Sequence, residues 1–236
     1  MSTIKISKIN KEFKLKDKTI EVLNDLSLEV NTNQITVILG KSGCGKTTLL
    51  RILSNLEDKD SGEIEYPSNY KSSFVFQEPR LMSWLNVRNN IAFSMKKLDD
   101  QQTKLIDDLI EMTGLSGFEN AYPNQLSGGM QQRVALSRAL AYRPNLIYMD
   151  EPFAALDYFT RINMQDELIK MYYQTNCGLL FVTHNVEEAL KLAHKIVVIN
   201  DGKIIKEYDF DDDLLERDIF SQEYIDLRKD ILSNIK

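Results

Sequence analysis

The most specific chemistry in the chain is carried by eight consecutive residues, Gly40-Lys41-Ser42-Gly43-Cys44-Gly45-Lys46-Thr47. They fit the spacing G-x-x-x-x-G-K-[ST] at every defined position. Glycines let the backbone wrap close to a phosphate, so that several N–H groups aim at one β-phosphate, and the helix that follows adds its positive end. Lys46 would reach the β- and γ-phosphates, and the Thr47 hydroxyl would ligate Mg²⁺. Thr48 is grouped with these nucleotide-binding residues. The chemistry is binding of a nucleoside triphosphate together with its metal ion.

Two carboxylates end the apolar run LIYMDEP at Leu146–Pro152. Successive side chains of a strand point to opposite faces, which separates the tasks of Asp150 and Glu151. Asp150 can hold the Mg²⁺ water shell, and Glu151 can polarise a water in line with the γ-phosphate. LFVTH ends the next apolar run in His184, and SFVFQ ends in Gln77. Gln77 offers a neutral oxygen to Mg²⁺ or to the attacking water. All of these sit where a strand would end, the edge at which open α/β sheets bind ligands.

A second anion-binding helix start stands far downstream. QLSGGMQQRVALSRAL, Gln125–Leu140, puts Ser127, Gly128 and Gly129 at the head of a helix-forming run. On its own the pattern also fits a serine-capped helix, the lesser of the two readings.

The elements that must position these residues are legible from periodicity. ITVILG at Ile35–Gly40 is continuously apolar, as expected for a strand buried on both faces. Leu49, Ile52, Leu53 and Leu56 then form a helical stripe. Before the loop, Ile4, Ile6 and Ile9, Ile20–Leu23 and Leu26–Val30 alternate as strands do. SGEIEY and SSFVFQ read as two further strands. From residue 84 to 129 the patterns are helical, which predicts a helical subdomain inserted in a single domain spanning 1–236. Afterwards NLIYM, a helix through Thr160–Tyr172, GLLFV, VEEALKLA and KIVVI alternate, predicting a parallel sheet with crossover helices. The acidic run DFDDD at Asp209–Asp213 reads as a solvated helix start.

Bulk properties narrow the function classes. With 236 residues, 43% apolar and 27% charged, the chain suits one sizeable α/β domain. A net charge of -6 argues against a sequence-independent nucleic-acid binder. No apolar run approaches the roughly 18–20 residues that span a bilayer, and MSTIKISKINKEF lacks a signal-peptide core, so we expect a cytosolic protein. Cys44 and Cys177 are expected to be free thiols.

Together these motifs resemble the nucleotide-binding subunit of an ABC transporter over nearly the whole chain. Leu126-Ser127-Gly128-Gly129-Met130-Gln131-Gln132 is similar to that family's signature. The resemblance implies a P-loop ATPase core with a parallel sheet, an N-terminal antiparallel β part and the helical insertion. It implies a head-to-tail homodimer sandwiching two ATP molecules, each signature helix facing the γ-phosphate on the partner's loop. A two-fold dimer closes two anion sites on one phosphate as a single chain does not.

By the same resemblance Phe13 matches the aromatic that stacks on adenine, where Tyr is more usual. Asp157 in AALD matches the loop crossing the dimer interface, His184 the switch histidine at the γ-phosphate, and Gln77 the link to the membrane subunits. PRLMSWLNV would lie at the groove receiving a permease helix, with Leu81, Met82 and Trp84 exposed. Lys41 stands where Pro is usual, Ala154 where Gly is, and Asn185 where Asp is frequent. MSWLNVRNNI, DEPFAALD and TRINMQDEL resemble the nitrate/sulfonate/taurine importer branch, which also includes carriers of thiamine-precursor pyrimidines. The implied assembly has two integral-membrane permease subunits and, indirectly, an extracytoplasmic solute-binding protein. It works at the cytoplasmic face of a bacterial membrane without nucleic acid. Two other classes compete: a non-transport ABC ATPase acting on a soluble macromolecule, and a P-loop kinase, which would leave LSGGMQQ unexplained.

Overall fold

A computed structural model describes residues 2–14, 16, 18–95 and 98–235. Strands Thr3–Lys14 (β1) and Thr19–Asn31 (β2) pair antiparallel and lead into Ile35–Leu39 (β3) and helix Lys46–Leu53 (α1). Ser61–Glu65 (β4) returns to pair with β1, and Ser72–Val75 (β5) follows. Three helices come next: Val87–Ile91 (α2), Asp100–Met112 (α3) and Gly128–Ala141 (α4). Leu146–Asp150 (β6), Tyr158–Thr175 (α5), Gly178–Thr183 (β7), Val186–Leu192 (α6) and Lys195–Asn200 (β8) then alternate. Lys203–Asp209 (β9) and Gln222–Ile235 (α7) complete the order.

The strands form a three-stranded sheet, β2-β1-β4, and a six-stranded sheet, β5-β6-β7-β3-β8-β9. In the larger one all neighbours run parallel except the β8–β9 hairpin. β3, β6 and β7 are buried at every position because both faces of this sheet are covered. Their alternation decides what covers which face. Val37, Leu39, Ile147, Met149, Leu179 and Phe181 share one core with the helices. Ile38, Leu146, Tyr148, Leu180 and Val182 share another with α1 and the antiparallel sheet. β9 went unread in the sequence: its only half-buried residues are Ile204 and Tyr208, so its pattern is too sparse.

The helical segment has no core of its own. Val87, Ile91, Ile106 and Ile110 join the cluster that packs on β3 and β6. The expected end of the insertion at 129 falls one residue inside α4, which runs on to Ala141. Asn90 organises the loop before α2. It is fully buried, its Oδ1 accepts from Met82 N at 2.8 Å, and its Nδ2 donates to the carbonyls of Met82, Leu85 and Asn86 at 3.1, 2.8 and 3.1 Å. Leu81 and Met82 are accordingly half-buried rather than exposed, while Trp84 stays 70% exposed at the tip. Asn90→Leu strands buried backbone groups and is expected to cost about 3 kcal/mol. An unchanged urea midpoint would show that the loop does not depend on this amide.

The acidic run is not a helix start. Asp209 ends β9, and α7 begins only at Gln222. Asp212 accepts from Arg217 Nε and Nη2 at 2.8 and 2.6 Å and from Tyr224 Oη at 2.7 Å. Burial pushes the Asp212 carboxyl up, but the Arg217 and Tyr224 bonds outweigh it and hold the group below its ordinary value. Asp213 accepts from Tyr173 Oη at 2.6 Å. Adjacent aspartates tolerate one another here because long-range donors neutralise them.

Candidate functional site

At the carboxyl edge of the six-stranded sheet, four neighbouring parallel strands deliver the residues that the sequence singled out. β5 precedes Gln77, β6 ends in Asp150, β7 precedes His184, and β3 precedes the glycine loop. The loop is glycine-dependent for steric reasons. A Cβ on Gly40 would lie 2.3 Å from Ile199 O, and one on Gly45, at φ 101°, would lie 2.6 Å from Val22 O. Lys46 Nζ, buried, donates to Gly40 O at 2.8 Å and Lys41 O at 2.7 Å, so the ammonium is held inside the loop's own curve. Lys41, Ser42 and Gly43 form its exposed outer wall. Cys44 is a buried free thiol, its pKa pushed up by burial against the opposing pull of Lys46.

Thr47 Oγ1 donates to Asp150 Oδ1 at 2.9 Å, tying the first turn of α1 to the end of β6 across β7. Thr48 is half-buried in the same turn. Among the described residues no group of three or more His, Cys, Asp or Glu could hold a metal ion. A hydroxyl, one carboxylate and the exposed Gln77 amide are hard oxygen donors, the donor type of a Mg²⁺ that keeps waters and borrows phosphate oxygens. The residues present fit that ion and not a protein-only cage.

Glu151 departs from the strand alternation expected for it. β6 ends at Asp150, and Glu151 takes φ 44°, a left-handed conformation uncommon outside glycine. Its N–H still donates to Val182 O at 3.1 Å, so the bend is anchored to β7. Strand alternation therefore stops at Asp150, and the bend sets the course of the chain at Glu151. Glu151 Oε2 lies 3.3 Å from His184 Nδ1, joining the ends of two adjacent strands. His184 is 62% exposed at its side chain, open to whatever approaches this edge.

Ser127 Oγ accepts from Met130 N at 3.3 Å and so caps α4. Gly128 faces open space, whereas a Cβ on Gly129 would meet Thr160 Cγ2 at 2.7 Å. The starts of α4 and α5 therefore abut. Asp157 caps α5, accepting from Phe159 N and Thr160 N at 3.1 and 3.2 Å. Bonds from Thr160 first, then Phe159, hold its carboxyl below the usual range. Phe13 is 38% exposed at the end of β1, opposite Ile20, and Lys11 Nζ lies 5.1 Å from its ring centroid. Val22, two residues along β2 from Ile20, lies against the glycine loop at Gly45.

Motif reading missed the side chains that brace this edge. Arg138, from α4, donates to Arg80 O and Pro79 O at 3.0 and 2.9 Å, fixing the segment after Gln77. Arg161 and Glu188 brace the turns around Asp157 and His184. A basic residue in the last turn of a helix, as Arg138 is, or one turn into it, as Arg161 is, has no periodic signature, so only the partner contacts reveal it.

A sequence profile of the family described as "ABC transporter" matches residues 23–154, more than half of the chain. The chain belongs to the ABC transporter family. Its ATP-binding, ATP-hydrolysing character follows from that membership. Among relatives, it is 48% identical over 178 residues to "Aliphatic sulfonates import ATP-binding protein SsuB 2" of Pseudomonas syringae pv. tomato, covering 75% of each chain. It is 39% identical over 213 residues to "Aliphatic sulfonates import ATP-binding protein SsuB" of Bacillus cereus, covering 86% of this chain and 84% of that one. Among solved structures it is similar to a dimeric ATP-binding cassette in a post-hydrolysis state bound to ADP and Pi. The TM-score is 0.76 at 30% identity, over 87% of this chain and 98% of that one. The mixed sheet with its helical cover is the fold of that family.

Proposed function

We propose that this ABC ATPase powers import of a small solute through a separate permease, working as a homodimer with ATP sandwiched between its two copies. The observation that carries the reading is the Glu151–His184 contact of 3.3 Å beside the Thr47–Asp150 pair. One pair can activate and report on a water, and the other can organise the metal end of a triphosphate. Gly40, Lys41, Ser42, Gly43, Cys44, Gly45, Lys46, Thr47 and Thr48 hold the phosphates, and Phe13 stacks on the base. Thr47, Asp150 and Gln77 hold Mg²⁺, which when bound neutralises charge on the β- and γ-phosphate oxygens. Glu151 orients the attacking water, and His184 sits over the γ-phosphate. Ser127, Gly128, Gly129 and Asp157 of each copy face the other's nucleotide, a division supported by the abutting starts of α4 and α5. The chain acts as one domain, 1–236, with the helical insertion at 84–129.

Among the described residues no helix is long and apolar enough to cross a membrane. Transport therefore requires partners, and we place the protein at the cytoplasmic face of a bacterial membrane beneath two permease subunits, fed by a solute-binding protein. Names of relatives point to aliphatic sulfonates as the first solutes to test, ahead of nitrate, taurine and pyrimidines. The deciding experiment is mild solubilisation of native membranes with a tagged chain and mass identification of what co-purifies. A multi-spanning permease supports import, and exclusively soluble partners would overturn it.

The trans role of the α4 start has its own check. Ser127→Arg loses a cap worth about 1 kcal/mol but touches none of the chain's own phosphate loop. ATP binding by a single copy should stay within about two-fold, while phosphate release falls on the order of a hundred-fold. Equal losses of both would mean that Ser127 serves the chain's own nucleotide.

A further inference from the structure

His184 is flanked by two residues held by a single buried carboxylate. Glu188, 5% exposed, accepts from Thr183 Oγ1 at 2.7 Å through Oε2, and its Oε1 accepts from Asn185 Nδ2 at 3.4 Å. Asn185 N donates in turn to Thr183 Oγ1 at 3.1 Å. Whatever moves Glu188 therefore moves both neighbours of His184.

Among the described residues Glu188 faces one arginine from another element. Arg161 Nε, in the first turns of α5, lies 3.8 Å from Glu188 Oε1. The same guanidinium donates through Nη2 to Leu156 O at 3.1 Å, the carbonyl next to Asp157. Arg161 is thus hooked to the turn on one side and to the His184 loop on the other. The second hook is only half made. At 3.8 Å the ion pair is too long for a hydrogen bond, and Arg161 Nε is buried without a hydrogen-bond partner among the described residues. The opposite charges of Arg161 and the buried Glu188 attract across this gap, so a small shift of the turn toward Glu188 shortens the pair and a shift away lengthens it. A polar cavity of about 60 Å³ between these groups, lined by Glu151, Arg161, Thr183, His184, Asn185 and Glu188, leaves room for such a shift.

We infer that Arg161 and Glu188 are positioning residues that couple the Leu156–Asp157 turn to His184, so that movement of the turn sets where the histidine stands against Glu151. The inference rests on the roles proposed for Asp157, Glu151 and His184 and adds how the first is communicated to the others within one chain. Neither residue is asked to touch the nucleotide.

The test compares wild type, Arg161→Met, Arg161→Lys, Glu188→Gln and the Arg161→Met/Glu188→Gln double variant. Steady-state phosphate release and ATP binding are measured alongside the ring signals of the histidines by NMR. The chain has only two, His184 and His194, so the His184 signal is assigned by loss in His184→Ala. Each single variant should lower kcat about ten-fold with KM within about two-fold, and Arg161→Lys should recover part of the loss. The double variant should fall no further than about two-fold below the worse single, as members of one linkage do. Arg161→Met should shift the His184 signal and leave His194 in place. Independent, multiplying losses, or an unmoved His184 signal in a folded Arg161→Met protein, would overturn the coupling. A wild type that hydrolyses ATP normally and a Glu151→Gln variant that does so too would instead sink the underlying site reading, whatever Arg161 does.

Discussion

Glu151→Gln is expected to bind ATP as wild type does and to hydrolyse it at least about a hundred-fold more slowly. The substitution keeps the size and one acceptor oxygen of the side chain, so the left-handed bend at φ 44° and the N–H bond to Val182 O should survive. What disappears is a carboxylate able to draw a proton from water. Because His184 Nδ1 stands 3.3 Å from Glu151 Oε2, the neutral amide also weakens whatever fixes the imidazole over the edge. Trapped in the ATP-bound form, the variant should run as a dimer in size-exclusion chromatography with ATP and as a monomer without it. Single-turnover phosphate release checks the chemical step directly. Near-normal turnover would remove Glu151 from its assigned role, and a dimer that ignores ATP would contradict the sandwich.

The second large effect belongs to Lys46. Its ammonium bonds two carbonyls of the loop that it would share with a triphosphate. Lys46→Ala removes both bonds and a positive charge from the centre of the loop. Charge-assisted hydrogen bonds contribute about 1.5–3 kcal/mol each. Loss of one such contact with a phosphate corresponds to roughly a ten- to hundred-fold weaker ATP affinity, and loss of two to more. Stability without nucleotide should also fall by about 1–3 kcal/mol, because the buried carbonyl of Gly40 and the part-buried carbonyl of Lys41 lose their donor. A fluorescent-ATP titration and a urea melt separate the two effects. Unchanged affinity with lower stability would make Lys46 a structural pin of the loop and nothing more.

Both of these residues are visible in the sequence, whereas the braces around them are not. The glycine loop was legible because its geometry is local: Gly45 has a left-handed φ, and Gly40 has no room for a Cβ. Asp150 was legible because a buried strand reads as an unbroken apolar run whose end is marked by the first polar residue, and His184 because it follows directly on the strand that such a run forms. The sheet's order was only partly legible. Alternating strands and helices imply a parallel sheet, yet that β7 lies between β6 and β3, and that a late hairpin adds β9, depend on packing.

Three readings failed for one kind of reason. The acidic run looked like a solvated helix start because Arg217, Tyr224 and Tyr173, which bind it, are distant from it or separated by a turn. Leu81 and Met82 looked exposed because nothing nearby announces that Asn90 draws their loop inward. Asp150 and Glu151 looked like successive strand residues, whereas the strand ends at Asp150 and the backbone bends at Glu151.

What the amino-acid sequence determined by itself is the nucleotide chemistry: a phosphate loop, a carboxylate pair at a strand end, and a second capped helix start. Those features rest on backbone conformation and on contacts a few residues apart, which residue type and spacing encode directly. Tertiary structure alone decided which ends meet. Thr47 reaches Asp150 over 103 residues of chain, and the long-range partners of Arg138 and Arg161 hold the surrounding turns in place. Such contacts come from packing two cores against one sheet, and no period in the sequence records them.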